Sequence, residues 1–258
     1  MSSTWRWLLN LLVLGFLLTG CAGGPRSHEP AKGAAGTPTP DPPAFLTGAA
    51  ALVLAQPDGF SAHAILTTGA LSPAGPATSG ELQARAGKLT FTPAPGHAKS
   101  ARGGFSFIWD VAQGRGYVLS EALQGCAPVT AKATPTNFVS LAGSTTTELI
   151  DAHPCQQEQV TVAMSDGSSR TFHVWRATDL KQLALRISSV SNSAPFTLSL
   201  SKVRLVAPPA ELFAPPDSFT KYASADAMLT ELIMRQHELK RPQVPATAEP
   251  IYEPRPRH

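Results

Sequence analysis

The sequence predicts a mainly β fold built on one antiparallel sheet. Short runs of alternating apolar and polar residues recur along the chain, which is the pattern of strands with one buried face. Glycine-containing turns separate many of these runs. Helices that could carry crossovers between parallel strands are missing from the pattern, so neighbouring strands are expected to be antiparallel.

The chain begins with a short apolar stretch that predicts a secretory signal. Arg6 precedes the run from Leu8 to Leu18, which only Asn10 and Gly15 interrupt. The run is too short to cross a bilayer, which takes about 20 helical residues. It has the length of the apolar region of a signal peptide. Residues 1–20 are therefore expected to be removed.

This stretch ends in Leu18-Thr19-Gly20-Cys21, which resembles the lipobox of bacterial lipoproteins. The resemblance implies that Cys21 becomes the mature N-terminus and carries fatty acyl chains such as palmitate. Several chains hold a protein firmly on a membrane, because each buried methylene adds about 0.8 kcal/mol. Ala22, in place of aspartate, favours the outer membrane in the sorting pattern of enterobacterial lipoproteins. The alternative is an ordinary signal peptide, or a short anchor helix with a chance cysteine.

Proline-rich segments flank the predicted domain on both sides. Residues 21–44 hold six prolines and residues 241–258 hold five. Neither segment has the apolar content needed to fold, so both are expected to be extended and disordered. The β domain is then expected over residues 45–240. The net charge of the whole chain is +3, which is too small to indicate nucleic acid binding.

The predicted strands, about nine or ten, follow one another through tight turns. Residues 80–93 predict two strands that meet about Gly87, and residues 103–120 predict a hairpin. Asp166-Gly167 marks the turn of the clearest hairpin, since this dipeptide favours a two-residue loop. The other predicted strands cover 59–69 and a pair that Asn192 joins, 183–190 and 196–206.

Two segments predict helices. A short one is expected from Thr47 to Ala55 and an amphipathic one from Ser224 to Lys240. Ser224 can cap the second helix, and Asp226 lies in its first turn. Its apolar stripe predicts a lid that docks on the sheet, with membrane-surface binding as the alternative; the stripe consists of Met228, Leu229, Leu232, Ile233 and Leu239.

Two cysteines remain once Cys21 is assigned to lipid. In an oxidising envelope, Cys126 and Cys155 predict a disulfide. Two unpaired buried thiols are the first alternative. A metal site that uses His153 with Cys155 is the second, although the spacing lacks the pairing of known zinc frameworks.

A resemblance to a known family enters at residues 172–188, "FHVWRATDLKQLALRIS". A strand ends in Trp175, a short turn holds Asp179, and a new strand follows from Leu183. This run resembles the LolA/LolB-like group, which includes mycobacterial lipid-binding lipoproteins, and the segments "GFSAHAIL", "GKLTFTP" and "LFAPPDSFTKY" also fit it. The resemblance implies a half-open barrel: a strongly curved antiparallel sheet whose helices pack on an apolar concave side able to hold acyl chains.

Eight large residues are expected to face that concave side. They would line a cavity for a lipid or for the acyl chains of another lipoprotein; the alternative is that they form a packed core. The residues are Phe60, Leu66, Phe91, Phe105, Phe107, Trp109, Val174 and Leu198.

Catalytic chemistry has no signature in the sequence. No Gly-x-Ser-x-Gly elbow and no glycine-rich phosphate loop occurs, and the histidines lack metal-ligand spacing. We therefore expect no catalytic residues, metal or cofactor. The expected function is a lipid-anchored, periplasm-facing bacterial envelope protein, in the outer membrane, that binds a lipid or lipoprotein and serves lipid transport or membrane maintenance. The alternative is a structural or regulatory envelope protein that binds a protein partner.

Overall fold

The computed structural model of this chain describes residues 41–69, 77–95, 104–190 and 195–236, without the side chains of residues 142–146. The predicted signal peptide, Cys21, nearly all of the N-terminal tether and the C-terminal tail lie outside the described residues. Leu239, the last residue of the predicted apolar stripe, also lies outside them.

The described residues contain twelve strands, and all twelve belong to one open sheet. In sheet order, β12-β6-β5-β4-β3-β2-β1-β11-β10-β9-β8-β7 are neighbours. The strands are β1 Gly59–Thr68, β2 Ala77–Arg85, β3 Lys88–Pro93, β4 Phe105–Asp110, β5 Arg115–Ser120, β6 Gly125–Thr130, β7 Pro135–Ile150, β8 His153–Met164, β9 Ser169–Ala177, β10 Leu183–Ser189, β11 Phe196–Arg204 and β12 Thr220–Lys221.

This order divides the sheet into two antiparallel meanders. Strands β1 to β6 form the first half, strands β7 to β11 form the second half, and the β1–β11 pair joins them. Only the two-residue strand β12 is paired in parallel, with β6. The predicted mainly β fold, with one large curved open sheet and a C-terminal helix, is confirmed.

The predicted turns lie where the backbone needs left-handed residues. Ala86 and Gly87 between β2 and β3 both have positive φ angles, as do Gly114 before β5 and Gly167 between β8 and β9. These turns bring consecutive strands side by side, because such loops match the twist of a hairpin. Local sequence therefore determines most of the pairing.

Three helices pack on one face of the sheet, which we call the inner face. They are α1 Ala44–Thr47, α2 Ala49–Leu54 and α3 Ala225–Gln236. Gly48 separates α1 from α2, and a Cβ there would lie 2.6 Å from the Ala44 carbonyl oxygen. The predicted start of α3 is confirmed: the Ala227 N–H donates to Ser224 Oγ at 3.1 Å. No helix among the described residues has the length and apolarity to span a membrane.

Between β11 and α3 the chain passes from the outer face of the sheet to the inner face, around the edge of the first half. After β11 it crosses the outer face, where Phe219 packs against Ile108, Leu119 and Cys126. Strand β12 then pairs with β6 at the sheet edge, and α3 follows on the inner face, where it contacts β6. The aromatic segment before α3 therefore covers the outer face of the sheet.

The predicted disulfide is not formed. Cys126 and Cys155 are both buried and free. Eight strands of the sheet order lie between β6 and β8, which carry them. Cys126 belongs to the outer cluster with Phe219, whereas Cys155 belongs to the main core. A disulfide needs Cα atoms within about 7 Å, which two residues at opposite ends of the sheet do not reach.

Candidate functional site

The inner face holds one continuous apolar core. All eight residues expected along a cavity are buried in it, together with Met228, Leu229 and Leu232 of α3, while Ile233 packs at its margin. Phe45, Leu46 and most of α2 belong to the same core. The interior is therefore filled by helices as well as by the side chains of the sheet.

Helices α1 and α2 occupy the space beside the second half of the sheet. The six residues of α2, AAALVL, carry no charge, and the helix packs against β7, β8 and β10. Phe45 of α1 reaches the first half, where its ring meets Phe91 edge to face at 5.3 Å between centroids. Such a short helix is not stable alone in water, so its position depends on this packing.

A cleft of about 460 Å³ opens at the N-terminal end of α2. Its walls are the small residues of α1 and α2 on one side and the ends of β9, β10 and β11 on the other. Phe172 and Phe196 form its apolar floor, with ring centroids 5.9 Å apart. Among the described residues of its walls, Arg170 is the one that carries a charge, and Ser169, Thr171 and Ser189 contribute hydroxyls. We call this space the apolar cleft.

A second cleft of about 390 Å³ lies at the other end of α2, beside Gln56 and Pro57. Its chemistry is polar, because Glu158, Arg176 and Lys181 line it. We call this space the charged cleft. The two clefts thus lie at opposite ends of one apolar helix.

Arg176 ties three elements together at the charged cleft. Its Nε donates to Glu158, and the side chains of this ion pair are only 12% and 20% exposed. One terminal nitrogen donates to the Gln182 carbonyl at 3.0 Å and the other to Gln56 Oε1 at 2.9 Å. Glu158 also accepts from Ser140 Oγ at 2.6 Å. This network links Gln56, just beyond the end of α2, to β8 and to the start of β10.

Trp109 is an exception in the filled core. Its indole N–H is buried and has no hydrogen-bond partner among the described residues. An unsatisfied buried donor costs about 1–3 kcal/mol. The ring packs closely all the same, since a Cβ on Gly116 would lie 2.8 Å from it.

The residues that carry the family resemblance lie elsewhere. Trp175 lies 5.4 Å beneath the Arg186 guanidinium and beside the His173 ring at 6.2 Å, and neither cleft is lined by it. His153 Nδ1 is 2.8 Å from Asp179 Oδ2. The described residues contain no cluster of histidine, cysteine and carboxylate side chains that could hold a metal ion.

The sequence-based prediction missed the residues of both clefts. Arg170 lies just after the predicted Asp166-Gly167 turn, and Arg176 directly follows Trp175, where the predicted strand ends; the prediction names neither as a site residue. One signal was present: Arg176 continues the inward alternation of Phe172 and Val174, so its charge points inward. Burying a charge requires a partner, which Glu158 on the adjacent strand supplies.

Comparison with known proteins gives structural likenesses only. No family model matches the chain, and no curated protein matches it. A LolA superfamily protein from Nitrosomonas europaea is similar at a TM-score of 0.40 and 12% identity, over 64% of this chain and 94% of that one. The Mycobacterium tuberculosis lipoprotein LppX gives 0.32 and 19%, over 55% and 85%.

PNGF-II gives a TM-score of 0.37 and 10% identity, over 69% of this chain but only 33% of that one. At such TM-scores and identities, none of the three indicates what this chain binds.

Proposed function

We propose that this protein is a lipid-anchored envelope protein that binds one acyl chain, of a lipid or of another lipoprotein, in the apolar cleft. The observation that carries the proposal is the cleft itself. Its volume lies in the range of small-molecule sites, about 300–1,000 Å³. An apolar floor with one described cation among hydroxyl groups suits an acyl chain whose polar end is, or adjoins, an anionic group.

Deeper entry of the chain requires α1 and α2 to move. The eight predicted cavity residues lie in the same core as Phe45 and Leu54. An acyl chain would reach them only by taking the place of these helices, whose own apolar side chains already occupy that space. The cleft is therefore the entrance of the site, and the core beneath α2 is its extension.

Anchoring belongs to Cys21, in the outer membrane of a bacterial envelope. Acyl chains on Cys21 would keep the domain at a membrane, with the proline-rich tether as spacer. A Cys21→Ser variant is expected to lose membrane association. If that variant is still processed and fractionates with membranes, the anchor is elsewhere.

Binding is tested with the full chain and a fluorescent long-chain fatty acid. Ala44→Trp places a large ring at the exposed margin of the cleft, and we expect it to weaken binding about tenfold, the effect of displacing roughly two methylenes. Ala122→Trp, an exposed alanine between β5 and β6, is the matched control and should bind like the wild type. Equal binding by both variants would refute the site.

The contribution of the Arg170 charge to fatty acid binding is tested separately. Arg170→Gln should weaken the fatty acid about two- to fivefold at low salt and less at high salt, since the residue is exposed and solvent screens its charge. The matched control is Arg115→Gln in the far hairpin. A neutral fluorescent alcohol of the same length should show no dependence on Arg170. Absence of any uptake by the wild type would end the proposal.

A further inference from the structure

The sheet has one long open edge. Strand β7 runs for 16 residues, with register shifts against β8 at 135–137 and 142–147, and pairs only with β8 in the described part of the chain. The opposite edge ends in β12, which has two residues. Backbone N–H and C=O groups along a long edge are a template for another strand.

Backbone groups of β7 point to that open edge. The Phe138 N–H donates to Asn137 Oδ1 at 2.8 Å instead of to β8. Alternate residues of a strand direct their backbone groups to the same side, so those of Ser140 also face the open edge. Ser140 is therefore at the centre of the available edge.

The outer side of this edge is uncharged and exposes two apolar side chains. Val139 and Leu141 are 57% and 59% exposed. Phe138, on the other face of β7, packs against the core. Thr161 and Gln159 lie opposite Val139 and Leu141 on β8. No charged residue occurs from position 135 to position 147. Native edge strands usually carry charges or bulges that limit pairing. The register shifts of β7 leave residues 137–142 as its regular edge, and this run carries no charge.

We propose that β7 pairs with β7 of a second copy of this chain, antiparallel and about a two-fold axis at Ser140. This register places Val139 opposite the partner's Leu141 and Leu141 opposite the partner's Val139. Both copies then bury the same two side chains, as an isologous interface requires. Cross-strand apolar pairs of this kind stabilise sheets.

The uncharged, self-matching run 137–142 favours this occupant. An anionic membrane would gain nothing from it electrostatically, because β7 and β8 contain no Lys or Arg. The glutamates of the two strands, Glu148 and Glu158, lie beyond this run or pair with Arg176. An identical strand meets no like charge along 135–147, and its apolar residues coincide. The proposal does not depend on acyl-chain binding.

The test is sedimentation velocity of the full chain in a density-matched mild detergent, over a concentration series. The wild type should dimerise with rising concentration. Val139→Lys with Leu141→Lys should raise the dimer Kd about tenfold or more, because like charges would then face each other. Val206→Lys with Leu212→Lys is the matched control, since both residues are exposed and apolar but lie beyond β11. It should dimerise like the wild type.

Hydrogen exchange at the amides of Phe138 and Ser140 gives an independent readout. In the wild type, exchange should slow as concentration rises, and in the lysine variant it should not. A wild type that stays monomeric overturns the proposal, even if its β7 amides are protected by a segment of the same chain. A dimer that survives the β7 lysines, or is lost equally in the control, also overturns it. An unchanged circular dichroism melt confirms that the variants fold.

Discussion

The two halves of the sheet fill their inner faces in different ways. The first half contributes large rings, including Phe60, Phe91, Phe107 and Trp109, which lie in the same core as the apolar side of α3, and Phe91 also contacts Phe45 of α1. The second half contributes mainly aliphatic residues and fills the remaining space with α1 and α2. A curved sheet encloses more volume than its own side chains fill. The half that uses a short helix to fill this volume is also the half that has clefts.

The largest expected effect on the free energy of unfolding comes from a phenylalanine-to-alanine substitution, made once in each half of the sheet. Phe91→Ala should lower the free energy of unfolding by about 3–5 kcal/mol, because it leaves a cavity against Phe45. Phe196→Ala, at the margin of the apolar cleft, should cost only about 1–2 kcal/mol, since solvent already reaches it. Urea unfolding midpoints measure both. Equal costs would remove the difference between the halves.

The ion pair of the charged cleft should have the next largest effect. Arg176→Met leaves Glu158 partly buried without its cation and releases Gln56, so we expect a loss of about 2 kcal/mol in unfolding free energy. Arg235→Met breaks an exposed ion pair with Glu231 on α3 and should cost less than about 0.5 kcal/mol. A second change, Glu158→Gln, should recover part of the Arg176→Met loss.

Trp109 tests the packing of the first half of the sheet, where it carries a buried polar group without a partner among the described residues. Trp109→Phe removes ring volume but also removes the buried indole N–H that lacks a partner. The two effects oppose each other, and the net cost should stay within about 1 kcal/mol. Thermal and urea unfolding measure it. A loss above about 3 kcal/mol would mean that the indole N–H has a partner in solution.

The smallest effect concerns the two thiols, one in each half. Burial raises the pKa of both Cys126 and Cys155 above 9.0, the ordinary value of a thiol. The unfolded thiols ionise first, so their contribution is complete below about pH 9 and is lost as the pH rises through the folded values. Unfolding free energy should therefore fall as the pH rises above about 9. The fall should be shallower in a Cys126→Ala, Cys155→Ala variant, and identical slopes would contradict the shift.

Local chemistry explains which parts of the fold were predictable. The turns at Gly87 and Gly167 need only neighbouring residues, and Ser224 caps α3 through a bond three residues away. Strand β7 had no such signal: the residues on either side of its polar stretch, 137–142 and 147–150, form a strand by pairing with β8. The two-residue strand β12 exists only because β6 lies beside it.

The candidate site shows the same division. Alternation predicted one common side for Phe107, Val174 and the other large residues, since the period of a strand is local, and all of them lie in one buried core. It could not show whether that side is hollow, because the answer depends on where α1 and α2 pack. Likewise, buried thiols were one of the alternatives that the sequence left open for Cys126 and Cys155. Their separation in space depends on the sheet order.

By itself the sequence determined the β class, the hairpin turns, the start of α3 and the set of large residues that face inward. These features follow from side-chain periodicity and from hydrogen bonds between residues a few positions apart. Only the tertiary structure decided the filled interior, the clefts at the two ends of α2, the Arg176 network and the open edge of β7. Each of these depends on contacts between segments that are distant in the chain, which local pattern does not encode.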